Sequence, residues 1–112
     1  MKLINSTISK DELKKMSEGF SGGLVKAVVD VEKGIMVVDA PMHADEEKEL
    51  LDAGSNQDNL WGINLYPELS GSDFIEFDSM INVRPRLNNF SRGIDDEGLQ
   101  KKIIAIVTKL VK

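Results

Sequence analysis

The sequence predicts an α+β fold: a two-layer sandwich with three helices on a mainly antiparallel sheet of four strands, or five if Leu3-Ile4 starts an edge strand. Three observations carry this expectation. Two Val/Ile-rich runs flank a glycine-ended turn. A second pair of strand-like runs is punctuated by Pro67 and Pro85. Helical patterns with end signals precede, separate and follow these pairs, in the order α-β-β-α-β-β-α.

The elements read as follows. Ser9 with Glu12 forms a capping box, the serine oxygen accepting an orphan N–H while the glutamate reaches back, so a helix over 10–18 should end near Gly19. Ser21-Gly22-Gly23 is turn chemistry. Leu24–Val31 and Ile35–Ala40 form a hairpin around Glu32-Lys33-Gly34, where glycine tolerates the left-handed conformation of a three-residue loop. That loop puts Val25, Ala27, Val29, Val31, Ile35 and Val37 on one face, and Val28, Met36 and Val38 on the other with Lys26 and Asp30. Both faces are then partly apolar, so the hairpin is covered on both sides or meets another subunit.

His43–Gly54 reads as a second helix, with acids in its first turn where the helix dipole favours them. Leu60–Tyr66 is a strand stopped by Pro67, and Phe74–Val83 is another, stopped near Pro85. Asp95-Asp96-Glu97 opens the last helix, whose buried stripe is Leu99, Ile103, Ile106, Val107 and Leu110.

Composition bounds the function. The chain has 112 residues, enough for one domain without a metal or disulfide staple. Its 41% apolar and 29% charged residues argue against disorder. The absence of cysteine excludes disulfides, thiolate metal sites and a cysteine nucleophile, and fits a reducing compartment. No apolar run is long enough to span a bilayer and the first residues lack a signal-peptide pattern, so a cytoplasmic protein without membrane attachment is expected. A net charge of −5 disfavours nucleic-acid binding. The charge is uneven: residues 1–29 carry +2, residues 30–78 carry −11 and residues 79–112 carry +4. A basic end can fold against an acidic middle, though solvated surface charge explains the same pattern.

The chemistry concentrates in Phe74–Arg92. Two-residue alternation puts Ile75, Phe77, Ile81 and Val83 inward and Glu76, Asp78, Asn82 and Arg84 outward. Pairing through the Pro67–Asp73 turn sets Asn64 opposite Glu76 and Gly62 opposite Asp78, with Tyr66 at the rim. A glycine among polar groups leaves room for something to approach. Glu76 and Asp78 are candidates for acid/base work or for holding Mg²⁺ or Ca²⁺, with His43 as a general base or ligand nearby. A sheet face left in water accounts for the same carboxylates, and a histidine before a helix is more often a cap.

Arg84, Arg86 and Arg92, with Asn88 and Asn89, form a loop suited to a small anion; alternatively these arginines pair with the acidic middle. No phosphate loop, nucleophile elbow or two-histidine metal motif is present, and no cofactor is evident.

The runs Gly34-Ile35-Met36, His43-Ala44-Asp45, Asp58–Pro67 and Ile75–Pro85 resemble a family of short prokaryotic proteins known as a domain of unknown function. The resemblance spans nearly the whole chain. It implies a stand-alone prokaryotic domain and carries over no catalytic residue. Three functions follow as expectations. The first is a small-molecule or anion-binding domain using Asn64, Tyr66, Glu76, Asp78, Asn82, Arg84, Arg86, Asn88 and Arg92. The second is an interaction or homo-oligomerisation module using Val28, Met36 and Val38. The third is a divalent-metal carboxylate hydrolase.

Overall fold

In the computed structural model, which describes residues 1–20 and 22–112, a five-stranded antiparallel sheet carries helices on both faces. The chain runs β1 (Lys2–Ile4), α1 (Lys10–Ser17), β2 (Val25–Asp30), β3 (Ile35–Val38), α2 (His43–Asp52), β4 (Leu60–Leu65), β5 (Ile75–Glu76) and α3 (Glu97–Leu110). The strand order is β1-β3-β2-β4-β5, with both edge strands only two or three residues long. Ser21, part of the expected Ser21-Gly22-Gly23 turn, lies outside the described residues.

The hairpin forms, but its loop is Val31–Gly34, because Asp30 pairs with Ile35. Asp30 explains the extra residue. Its buried carboxylate accepts the Glu32 and Lys33 amides and the Ser55 hydroxyl, folding the loop one residue early. Gly34 supplies the positive φ of 68° that closes it.

The shifted register re-sorts the faces. Val25, Ala27, Val29, Met36 and Val38 join Trp61, Ile63 and Leu65 in the main core, under Leu13 of α1 and Ile103, Val107 and Leu110 of α3. Val28 and Val37 point the other way, under Leu50 of α2. Val28, Met36 and Val38, expected as a docking face, are all fully buried by the chain's own helices.

The caps follow the sequence with two adjustments. Ser9 accepts the Glu12 amide at 3.0 Å, but Glu12 turns away to Lys2, so only the serine half of the capping box forms. Asp96 caps α3 through the Gly98 and Leu99 amides, while Asp95 ties down Phe90 and Ser91.

The expected long final strand does not form. It pairs with β4 only at Ile75 and Glu76, and Met80–Asn82 and Pro85–Leu87 are 3-10 turns. Ser79 starts the departure: its hydroxyl accepts the Ile81 amide, and its own amide donates to Arg92 O. The alternation therefore breaks at Ser79. Ile81 packs with Val28 and Leu50, and Val83 lies at the surface.

Asn82 takes over the edge of β4. Its side-chain amide accepts the Gly62 N–H at 2.8 Å and donates to the Gly62 carbonyl at 2.9 Å. One carboxamide thus does for Gly62 what a neighbouring strand's peptide groups would do. The glycine is required for this closeness. A β-carbon on Gly62 would lie 2.6 Å from Ser79 Cβ and Oγ and 3.2 Å from His43 Cδ2. Gly62→Ala is expected to lose about 1–3 kcal/mol by overpacking, read from urea denaturation, with part recovered when Ser79→Gly is added. An unchanged midpoint would show that the segment around Ser79 yields freely.

Candidate functional site

The outer sheet face is covered by α2 only in part. The ten-residue helix presents His43, Glu46 and Leu50 to the sheet, at spacings that keep them on one side. Beyond its N-terminal end, the row Lys26–Asn64–Glu76 runs across β2, β4 and β5. Between this row and the start of α2 lies a cleft of about 470 Å³. Its polar lining includes His43, Asn64, Tyr66, Glu76, Asp78 and Arg92, with Lys26 beside them. Leu24, Pro41, Met42, Met80 and Ile81 supply apolar walls, and Met42 and Met80 are 60% and 65% exposed.

Internal bonds hold the polar groups in place. Asn64 Nδ2 and Tyr66 Oη both donate to Glu76 Oε1 at 2.9 Å. Burial and then the Glu76 carboxylate raise the Tyr66 pKa, keeping it a phenol and a donor. Arg92 Nε donates to Asp78 Oδ1 at 2.7 Å. His43 Nε2 donates to the Ile63 carbonyl at 2.8 Å, a bond that requires the proton on that nitrogen. Burial lowers the His43 pKa, with Lys26 adding to the effect and the Ile63 carbonyl, Asn64 and Asp78 opposing it; the ring is therefore neutral at pH 7, with its lone pair on Nδ1. Asn64 Oδ1 is buried and makes no hydrogen bond.

The sequence expectations divide on this geometry. Asn64 does pair with Glu76, as the turn predicted, and Tyr66, Asp78, Arg92 and His43 gather beside them. Gly62 does not face Asp78; the space it leaves is filled by Ser79 and His43 of the same chain. Asn82 is fully buried and bonds Gly62 and Arg92 O, so it belongs to the scaffold.

The three arginines do not converge. Arg84 pairs with Glu47 at 3.1 Å and stacks on Trp61, Arg86 pairs with Asp58, and Arg92 with Asp78. Each takes an acid from the acidic middle, so no three-arginine anion clamp exists. Burial pulls the Arg84 pKa below its ordinary value, with Glu47 opposing it. Asn88 is exposed at φ 59°, ending a 3-10 turn. Asn89 staples the loop by donating to the Asn82, Ser91 and Gly93 carbonyls and accepting the Asp95 amide. This self-bonding occupies Asn89, Ser91 and Asp95 and leaves the Asn88 side chain in solvent.

Sequence reasoning missed Lys26, because the β2–β4 pairing that brings it to Asn64 was not legible. It also missed Glu46, although His43, Glu46 and Leu50 at helical spacing were a signal. Glu46 is fully buried; Oε2 accepts the Ala40 amide at 3.1 Å, and Oε1 has no partner. Burial pushes its pKa up to about 9, against the Ala40 hydrogen bond and Lys26, so it is a neutral acid at pH 7.

Among the described residues, no group of three or more His, Asp or Glu side chains is placed to hold a metal ion, and no helix is long and apolar enough to cross a membrane. No curated protein and no solved structure matches the chain. A family model does match, over residues 2–110. The chain therefore belongs to the family described as "Protein of unknown function (DUF5674)", which spans nearly its whole length.

Proposed function

We propose that this chain is a small-molecule-binding domain whose ligand sits in the cleft between the start of α2 and the Lys26–Asn64–Glu76 row. One observation carries the reading. Glu76 is held by two donors on a single oxygen, Asn64 Nδ2 and Tyr66 Oη, inside a concavity with apolar lips. A carboxylate fixed in this way has lost its freedom before any ligand arrives, which lowers the entropic cost of binding. Its second oxygen remains for a ligand. The pairing of Arg84 and Arg86 with Glu47 and Asp58 moves the reading away from an anion clamp. The cysteine-free sequence fits a reducing compartment such as the cytoplasm, and a prokaryotic setting is what the family resemblance implies.

The test is a titration followed by NMR, using phosphate, simple carboxylates, amines, amides, amino acids and sugars at millimolar concentration. At least one class is expected to move the Asn64 side-chain amide and the Met42 and Met80 methyl signals together. If every class leaves all of them in place, the cleft is plain surface and the proposal fails.

A further inference from the structure

Lys26 carries the charge that the cleft leaves unanswered. It is half-buried, and among the described residues it makes no ion pair and no side-chain hydrogen bond. Its neighbours in the cleft are committed elsewhere: Arg92 to Asp78, Tyr66 and the Asn64 amide to Glu76. The floor therefore offers an unpaired cation at Lys26 and a free oxygen on Glu76, while the second oxygen of Asp78 and the terminal N–H groups of Arg92 belong to a pair that neutralises itself. Lys26 and Glu76 lie on strands two apart, with Asn64 between them on the same row.

The two charges are opposite in sign and face one cleft from the same row of the sheet. A ligand that answers both must carry an anion and a cation of its own, and a free α-amino acid is a small molecule that does so, with its ammonium on Glu76 and its carboxylate on Lys26. The exposed methyl groups of Met42 and Met80, with Leu24 and Ile81, then face whatever the ligand carries beyond its charges. Methionine side chains adapt to irregular apolar shapes.

We infer that the cleft takes a free α-amino acid with an apolar side chain, its carboxylate on Lys26 and its ammonium on Glu76. This rests on the binding reading above and goes beyond it by naming the ligand class. No bond is made or broken.

Four probes test it on the whole chain: L-leucine, isopentylamine (the same tail with the cation alone), 4-methylpentanoate (the anion alone) and glycine. L-Leucine is expected to bind roughly tenfold more tightly than either single-charge probe and than glycine. Lys26→Met should bring leucine down to the level of the amine, and Glu76→Gln down to the level of the acid. Lys26→Gln serves as a second variant should the methionine disturb folding, which the melting temperature reports. An amine or acid that binds as well as leucine overturns the zwitterion assignment while leaving a binding cleft. Silence from all four probes also overturns it, and the wider panel then decides whether the cleft binds anything at all.

Discussion

Asn82→Ala is expected to destabilise the protein by about 3–5 kcal/mol, since each buried polar group left unpaired costs about 1–3 kcal/mol. Asn82 is fully buried, and its side chain serves three backbone groups: the Gly62 N–H, the Gly62 carbonyl and the Arg92 carbonyl. Truncation orphans both Gly62 groups at once, leaves the Arg92 carbonyl with the Ser79 amide alone, and opens a hole beside Ser79. Asn82→Asp separates the causes. It keeps the volume and an acceptor for the Gly62 amide, yet it turns a carboxylate toward two carbonyls and should lose nearly as much. Urea denaturation of both variants reads the effect. A loss under about 1 kcal/mol for the alanine variant would mean that water replaces the amide without penalty.

The second large effect is a pH dependence set by Glu46. Its pKa is about 9 in the fold against 4.5 for an ordinary glutamate, so above pH 4.5 the unfolded chain releases a proton that the native state keeps. The native state binds more protons, and stability must fall as pH rises, by about 1.4 kcal/mol per unit at most, until pH passes about 9. Between pH 6.5 and 8.5 the wild type should lose roughly 2–3 kcal/mol. Glu46→Gln, which does not titrate, should flatten that slope and be the more stable protein at pH 8.5. His43 works in the opposite sense. Its lowered pKa favours folding above 6.5, and that contribution is lost as pH falls through the native value. Acid and base therefore each remove one support from the same α2–sheet contact. Denaturation at a series of pH values checks both; parallel curves for wild type and Glu46→Gln would refute the buried neutral acid.

What could be read from the sequence was whatever depends on neighbours in the chain. The stripe of α3 at Ile103, Val107 and Leu110, the serine cap of α1 and the Asn64–Glu76 pairing all follow from periodicity and one short turn. The early fold of the Val31–Gly34 loop depends on a buried Ser55 hydroxyl that meets Asp30 from 25 residues away. The break at Ser79 depends on how closely Gly62, Asn82 and the Arg92 carbonyl approach in space. Local alternation carries no trace of such approaches. For the same reason the cleft was legible at Glu76 and Asn64 but not at Lys26, whose place follows from the pairing of two strands more than 30 positions apart.

Asn82 and the turns around it also decide how this protein behaves when crowded with its own copies. A sheet whose long strands ended in open ladders would offer each passing molecule a template for continuous cross-molecular growth. Here the two outermost strands are too short to template much, and the side of β4 beyond its two-residue partner is met by one side-chain amide instead of a repeating backbone. Removing that amide exposes a ready-made seam for fibril growth, so Asn82→Ala samples should thicken into aggregates on storage sooner than their loss of stability alone accounts for.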